Sequence, residues 1–270
     1  MRKGDTGHQV ATLQRELVTA GFKLTVDGWF GAATEAAVKA LQQRAGLVVD
    51  GIAGPKTQAA LYSQDKDKRT LAEADLIKAA ERLGIGLAAI KAVNEVETTG
   101  HGFLSDGRPV ILYERHKAFG LLGESGVPAE DAIALATRYP NLVNEKRGGY
   151  AGGHHEWSRL NTALTILPPA VAYGACSWGQ YQVMGYHWQR LGYASIDEFV
   201  FSMKSGEAGQ LEAFVRYLEA EPALIKALKA GKWADFARGY NGPAYKDNAY
   251  DIKLARAYER YAEADQAEAA

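Results

Sequence analysis

The stretch Val26-Asp27-Gly28-Trp29-Phe30-Gly31-Ala32-Ala33-Thr34 returns as Val49-Asp50-Gly51-Ile52-Ala53-Gly54-Pro55-Lys56-Thr57. Each copy follows a run carrying Leu-Gln: Leu13-Gln14 with Leu17, then Leu41-Gln42. Asp-Gly is a tight-turn dipeptide, and the second glycine of each copy suits a position needing positive φ. Thr34 and Thr57 are expected to open short helices, one alanine-rich (ATEAAVKALQQ) and one led by proline (GPKTQAALY). The echo therefore predicts three short helices joined by two glycine-pinned loops over residues 1–62. A repeat this short cannot bury a face alone, so its two copies must pack together as one small domain.

Outward from the repeat, SQDKDKRT has charge, no apolar anchor and no periodicity, so residues 63–71 are expected to be a linker. Residues 72–270 form the second domain. There Leu76, Ile77, Ala80 and Leu83, then Ile90, Val93 and Val96, recur at helical spacing, interrupted by Gly84 and Gly86. After Glu97 the sequence TTGHGFLSDGRP must be loop, and RPVILYERH is the best strand candidate. A glycine-rich run (RGGYAGGHHEW) precedes a helix expected over about 156–172. Further helices are expected near 208–220, 222–230, 232–239 and 247–265. The fold class that follows is mainly α: a small three-helix domain plus a larger, mostly helical domain with a small β-sheet.

At 270 residues, with 47% apolar residues, the chain can build two cores. Its 31 Lys plus Arg balance 32 Asp plus Glu, with pI ≈ 6.6, which argues against nucleic acid as the main partner. A single cysteine, Cys176, permits no internal disulfide and no cysteine-rich zinc site, and is read as a small buried hydrophobe. The N-terminal run lacks a signal-peptide core, and no stretch approaches the roughly 20 apolar residues of a membrane span. The expectation is a protein made in the cytoplasm without membrane insertion.

Three constellations carry chemistry. Glu97 ends a helix that is apolar on one side and opens into a glycine loop. A carboxylic acid there can sit against apolar walls, keep its proton near neutral pH and donate it to a leaving oxygen. Glu95 points about 200° around the helix from Glu97, so both cannot face one cleft. By spacing alone, both could equally be surface charges. Next, Ser177-Trp178-Gly179-Gln180-Tyr181-Gln182-Val183-Met184-Gly185 offers small residues for close backbone approach, and Gln182 offers a forked amide for sugar hydroxyls or acetamido groups. Trp178 and Tyr181 could pack on sugar faces or anchor the core. Finally, Tyr240-Asn241-Gly242-Pro243 reads as a helix stop that also could present a functional tyrosine. Histidines 101, 116, 154, 155 and 187 form no HExxH, no GxSxG elbow occurs, and no phosphate-binding glycine loop is present, so no metal or cofactor is expected.

The repeat, over residues about 4–62, resembles the type 1 peptidoglycan-binding domain through "V..LQ..L...G", "VDGWFG..T..AV..LQ" and "DGIAGPKT..AL". That resemblance implies a wall-binding face around Asp27, Trp29, Phe30 and second-turn residues such as Asp50. Residues about 72–262 look like the N-acetylmuramidase domain of modular phage endolysins, through "EVETTGHGF", "DGRPVILYERHKAF", "GGHHEWSRL", "ACSWGQYQVMGYHW" and "YNGPAYKDNAYDIKLARAY". These blocks follow the order of the goose-type lysozyme and lytic transglycosylase superfamily: catalytic Glu, Ser-x-Gly-x-x-Gln, then Tyr-Asn. In that superfamily a small hydroxyl residue follows the acid, and Thr98 follows Glu97.

What the resemblance implies is a glycoside hydrolase of the lysozyme type, cutting the β-1,4 bond between N-acetylmuramic acid and N-acetylglucosamine. Glu97 would be the acid, with Ser177, Gln182, Tyr181, Tyr240, Asn241 and His116 binding substrate. The second carboxylate is ordered Glu114 on the strand candidate, then Asp106. Direct water attack needs acid and base roughly 6.5–9.5 Å apart, and a retaining route about 5–5.5 Å. Rivals are a lytic transglycosylase, which leaves 1,6-anhydro ends, and a non-catalytic wall binder. The partner expected is bacterial peptidoglycan, met by a monomer that waits in the host cytoplasm until a holin opens the membrane.

Overall fold

The computed structural model describes residues 1–62, 69–98 and 102–269. Its contacts group into two compact units, Met1–Val93 with the segment from Lys253 onward, and Asn94–Ile252. Most of the expected 63–71 linker, residues 63–68, lies outside the described residues, as do 99–101.

In the first unit, α1 (His8–Thr19), α2 (Ala32–Arg44) and α3 (Pro55–Tyr62) are the three helices of the repeat. Their core is Val10, Leu13, Leu17, Phe30, Val38, Leu41 and Ala53. Phe30 is therefore fully buried, while its neighbour Trp29 is 58% exposed, so Phe30 holds the core and Trp29 alone of the pair can meet a ligand. Both helices begin two residues before the expected threonines, which sit buried in the first turn. Positive φ falls on the first glycine of each copy, Gly28 and Gly51, both at 72°, and not on the second.

The reason lies in two buried glutamines. Gln14 Nε2 donates to Asp27 Oδ1 (2.8 Å), the Trp29 carbonyl (3.0 Å) and Thr34 Oγ1 (2.9 Å), while its Oε1 accepts from the Asp27 and Gly28 amides. Gln42 repeats this with Asp50 Oδ1 (2.6 Å), the Ile52 carbonyl (3.0 Å), Thr57 Oγ1 (3.0 Å) and the Asp50 and Gly51 amides. To point successive amides at one oxygen the chain must turn left-handed at the glycine.

The same unit continues through α4 (Glu73–Leu83), ended by Gly84 in the left-handed region, and the start of α5 (Leu87–Glu97). Buried Lys91 pairs with Glu73 (2.5 Å) and donates to the Val49 carbonyl, and Glu73 accepts from the Val49 amide (2.8 Å). One clamp thus ties the second repeat loop to α4 and α5.

The second unit holds a three-stranded antiparallel sheet: β1 (Ile111–Tyr113), β2 (Cys176–Trp178) and β3 (Val183–Met184), with Ile111 opposite Trp178 and Trp178 opposite Val183. The strand expected over RPVILYERH is only three residues long, because α6 (Arg115–Glu124) begins with Glu114 at its N-cap. Glu114 consequently sits off the strand.

α7 (Ala129–Arg138) was not expected from periodicity. The single helix expected over 156–172 is two, α8 (His154–Leu164) and α9 (Pro169–Gly174), since Pro168 and Pro169 supply no amide hydrogens to continue α8. α10 (Ile196–Ser205) was also unexpected; α11 (Glu207–Glu219), α12 (Pro222–Lys229), α13 (Trp233–Asn241) and α14 (Tyr250–Ala269) match expectations within a few residues. The fold is mainly α with a small sheet, and among the described residues no helix is long and apolar enough to cross a membrane.

The core centres on Trp178, fully buried with Trp157, Tyr173 and Phe199 rings 5.8–6.3 Å away. It cannot stack on a sugar. Beside it, buried Glu156 accepts from the Tyr113, Ala151 and Gly152 amides and from Arg159, whose guanidinium also donates to the Tyr113 and Asn141 carbonyls. This network fixes β1 against α8 and the glycine-rich loop.

Gln42→Ala would leave the second repeat loop without its acceptor and donor. It is expected to destabilise the protein by about 2–3 kcal/mol, read as a lower urea midpoint. Gln43→Ala, at the exposed neighbour, should stay within about 0.5 kcal/mol.

Candidate active site

Glu97 is the last residue of α5, and its half-buried carboxylate lines a cleft of about 760 Å³. Val110, the segment Gly179–Met184, Tyr186, His187, Tyr217, Tyr240, Asn241 and Tyr250 complete the wall. Thr98 completes the last turn of α5: its amide donates to the Asn94 carbonyl (3.1 Å), as does its hydroxyl. Burial pushes the Glu97 carboxyl up to about 7, opposed in part by the Asn241 amide, which donates to Oε1 (3.0 Å).

Asn241 reaches Glu97 from the end of α13, where Gly242 (φ 80°) turns the chain away. Tyr240 donates to the Tyr181 carbonyl (2.7 Å), and burial, with the Glu97 charge second, raises its phenol so that it stays a neutral donor. Tyr181 is buried, stacked on Phe214 at 4.7 Å, and donates its hydroxyl to Asn94 Oδ1 (2.7 Å). It lines the cleft from within the core, and its hydroxyl braces α5.

The Gly179–Gln182 turn is strained and anchored. Gln182 holds φ 51°, rare for a residue with a Cβ. Its amide is used twice inside the turn: Ser177 Oγ donates to Oε1 (2.7 Å) and Nε2 donates to the Gly179 carbonyl (2.8 Å). Buried Ser177 thus supports Gln182 from behind and does not line the cleft. Behind the turn, buried Gln210 on α11 accepts from the Gln180 amide (2.8 Å) and donates to the Gly102 and Met203 carbonyls. A Cβ at Gly102 or Gly179 would stand 2.2–2.4 Å from that side chain, so either substitution would push the Gln210 amide off its bonds.

The two other carboxylates singled out from sequence are elsewhere. Glu114 is buried, accepts from the Tyr150 hydroxyl (2.8 Å) and lies 3.2 Å from His116 Nδ1 and 3.6 Å from Arg147. Asp106 is held by Arg108 (2.5 Å) and His154 (2.9 Å); the Arg108 hydrogen bonds keep its carboxyl well below the usual range. Neither they, nor His116, nor Glu95 line the cleft. Tyr181, Gln182, Tyr240 and Asn241 do.

Sequence reasoning missed Gln180, Tyr186, His187, Tyr217 and Tyr250. Buried Gln180 lines the cleft, and its Nε2 has no partner among the described residues. Tyr217 and Tyr250 read only as ordinary helix residues. Among the described residues, no group of three His, Cys, Asp or Glu could hold a metal ion.

A family model described as N-acetylmuramidase matches residues 86–262, and one described as a putative peptidoglycan binding domain matches 6–61. The chain belongs to the N-acetylmuramidase family. Its muramidase region holds every residue that lines the cleft. The full chain is similar to the crystal structure of a Burkholderia AP3 phage endolysin, with 52% identity, TM-score 0.92 and 98% of each chain covered. It is also 50% identical over 72 residues to the N-acetylmuramoyl-L-alanine amidase CwlL of Bacillus licheniformis, which covers 26% of this chain and 20% of the amidase. It is 42% identical over 71 residues to the zinc D-Ala-D-Ala carboxypeptidase of Streptomyces albus G, 25% of this chain and 28% of that protein. The chain thus spans only about a fifth to just over a quarter of these curated relatives.

Two glutamines should respond oppositely. Gln210→Ala is expected to lower the melting temperature by roughly 5 °C or more, since it strands buried backbone groups. Gln180→Met removes a buried amide without a partner and should leave the melting temperature unchanged or higher. Differential scanning calorimetry of the two variants checks both.

Proposed function

We propose that this chain is a peptidoglycan hydrolase that cleaves the β-1,4 bond between N-acetylmuramic acid and N-acetylglucosamine, with Glu97 as general acid. One observation carries the reading: Glu97 is the sole carboxylate among the cleft-lining residues, and burial holds its proton to about pH 7. Glu97 gives that proton to the glycosidic oxygen as the C1–O bond breaks. The sugar cation is captured by water at C1, and the surplus proton leaves to solvent before Glu97 is reprotonated. Asn241 steadies the carboxylate that remains, and Tyr240 and Tyr250 line the same cleft.

With no second acid in the described wall, Glu114 and Asp106 are proposed as structural groups and not as the base. The same fact favours a second reading. A site with one acid serves equally when the substrate's own 6-hydroxyl attacks, giving a 1,6-anhydro end. Mass spectrometry of digested peptidoglycan separates the two, since anhydro ends are one water lighter. Predominantly anhydro ends would replace hydrolysis by transglycosylation.

Residues 1–62 are proposed to hold the enzyme on the wall through exposed Trp29, with Asp27 and Asp50 shaping the loops around it. The family match and the similarity to a phage endolysin support peptidoglycan as the partner and host lysis as the role. Release through a holin and action as a monomer belong to the same proposal.

Glu97→Gln is expected to abolish clearing of outer-membrane-permeabilised cells; clearing equal to wild type would remove Glu97 from the mechanism. Because the acid form is the active one, cleavage should fall as pH rises through about 7. Asn241→Ala, which removes the donor that lowers Glu97, should move that limb to higher pH while reducing the maximum rate.

Stability carries the same signature. The folded carboxyl sits above its ordinary value of 4.5, so ionising it disfavours the folded state between pH 4.5 and 7. Glu97→Gln should therefore be more stable than wild type by up to about 3 kcal/mol above pH 7, with the gain vanishing near pH 4. Urea titrations at both pH values test this.

A further inference from the structure

Part of the cleft wall is aromatic and has cations beside it. Tyr186, His187 and Tyr217 form it, with Tyr186 and His187 ring centroids 4.2 Å apart and His187 and Tyr217 5.4 Å apart. Two cations stand over the flanking rings, Lys117 Nζ at 5.3 Å from the Tyr186 centroid and the Arg190 guanidinium at 5.1 Å from that of Tyr217. Arg190 is neutralised by Glu221 at 2.5 Å. Lys117 is not itself a wall residue but stands against one, Tyr186, and makes no ion pair among the described residues. His187 stays neutral there, because burial first and then the charges of Arg190 and Lys117 lower it to about 4. Its ring nitrogens have no hydrogen-bond partner among the described residues.

Aromatic faces suit sugar rings, and a half-buried lysine over such a face is a charge awaiting an anion. The two alternating sugars of the proposed substrate differ at one place. N-acetylmuramic acid carries a lactyl ether, whose carboxyl is either free or extended by an acidic peptide stem, and N-acetylglucosamine carries none.

We propose that the Tyr186–His187–Tyr217 part of the cleft wall is a subsite for a sugar bearing a carboxylate, and that Lys117 is the cation that selects it. The inference rests on the glycan-cleaving reading above. It makes Lys117 a specificity-determining residue that takes no part in breaking the bond, so its loss should appear in KM and not in kcat.

The test uses the full chain and three soluble glycan strands: peptide-bearing strands, strands stripped of their stems, and stripped strands whose lactyl carboxyls are converted to neutral amides. Lys117→Met should raise KM about ten-fold on charged strands, with kcat within two-fold of wild type and little change on the neutral strands. A loss on peptide-bearing strands alone assigns the contact to a stem carboxylate, and a loss on stripped strands assigns it to the lactyl group. Lys117→Arg should keep the preference for charged strands, which guards against a simple folding defect.

Unchanged KM on both charged strands, or an equal rise on all three, would overturn the assignment. If the wild type cleaves none of them, the glycosidase reading is what fails. The dissociation constants of Glu97→Gln with and without Lys117→Met then decide the carboxylate contact by themselves.

Discussion

The amide of Gln210 ties together segments that are far apart in the chain. Its oxygen takes the Gln180 amide hydrogen, and its nitrogen gives to the carbonyls of Gly102 and Met203. Gly102 lies five residues after Glu97 in the chain, and Gln180 sits in the turn that forms part of the cleft wall. A single side chain from α11, 1% exposed, therefore sets how the acid-bearing segment and the glutamine turn stand to one another. The glycines on either side are consequences of this clasp, because no larger residue leaves room for it.

Around that fixed frame the chemistry is sparse. One carboxylate enters the cleft, its proton held by burial and tempered by one amide hydrogen bond. The tyrosines about it are neutral donors whose own bonds run into the scaffold, as with Tyr240 to Tyr181 and Tyr181 to Asn94. Strain at Gln182, of order 1–3 kcal/mol, is sustained by two hydrogen bonds made by its own side chain. These bonds hold the wall's side chains in place, the arrangement that preorganised catalysis requires.

Much of this was legible in the amino-acid sequence, for reasons that can be named. The Val-Asp-Gly echo gave away the repeat because each loop is held in the same way by its own buried glutamine, Gln14 or Gln42. Helix ends drew attention to Glu97, Tyr240 and Asn241, but local pattern left each open, and it was the resemblance, through Thr98 and the Tyr-Asn block, that selected them. Phe30 was misplaced on the binding face and Trp178 was left open, because an aromatic beside a loop has the same local pattern whether it faces solvent or core. Proline pairs broke the expected 156–172 helix through missing amide hydrogens, which periodicity does not weigh. Gln180, Tyr217 and Gln210 could not be found at all, since each gains its meaning only from residues distant in the sequence.

The clamp of Glu73 and Lys91 on the backbone of Val49 bears on how such enzymes can be recombined. Residues 63–71 look like the natural place to exchange one wall-binding module for another. A cut there would part Val49 from both of its partners and leave buried Lys91 and half-buried Glu73 facing an unrelated surface. The transferable piece is longer than its helical repeat. A functional chimera should carry α4 and the first turns of α5 along with it, or restore an acceptor for the lysine at the new junction.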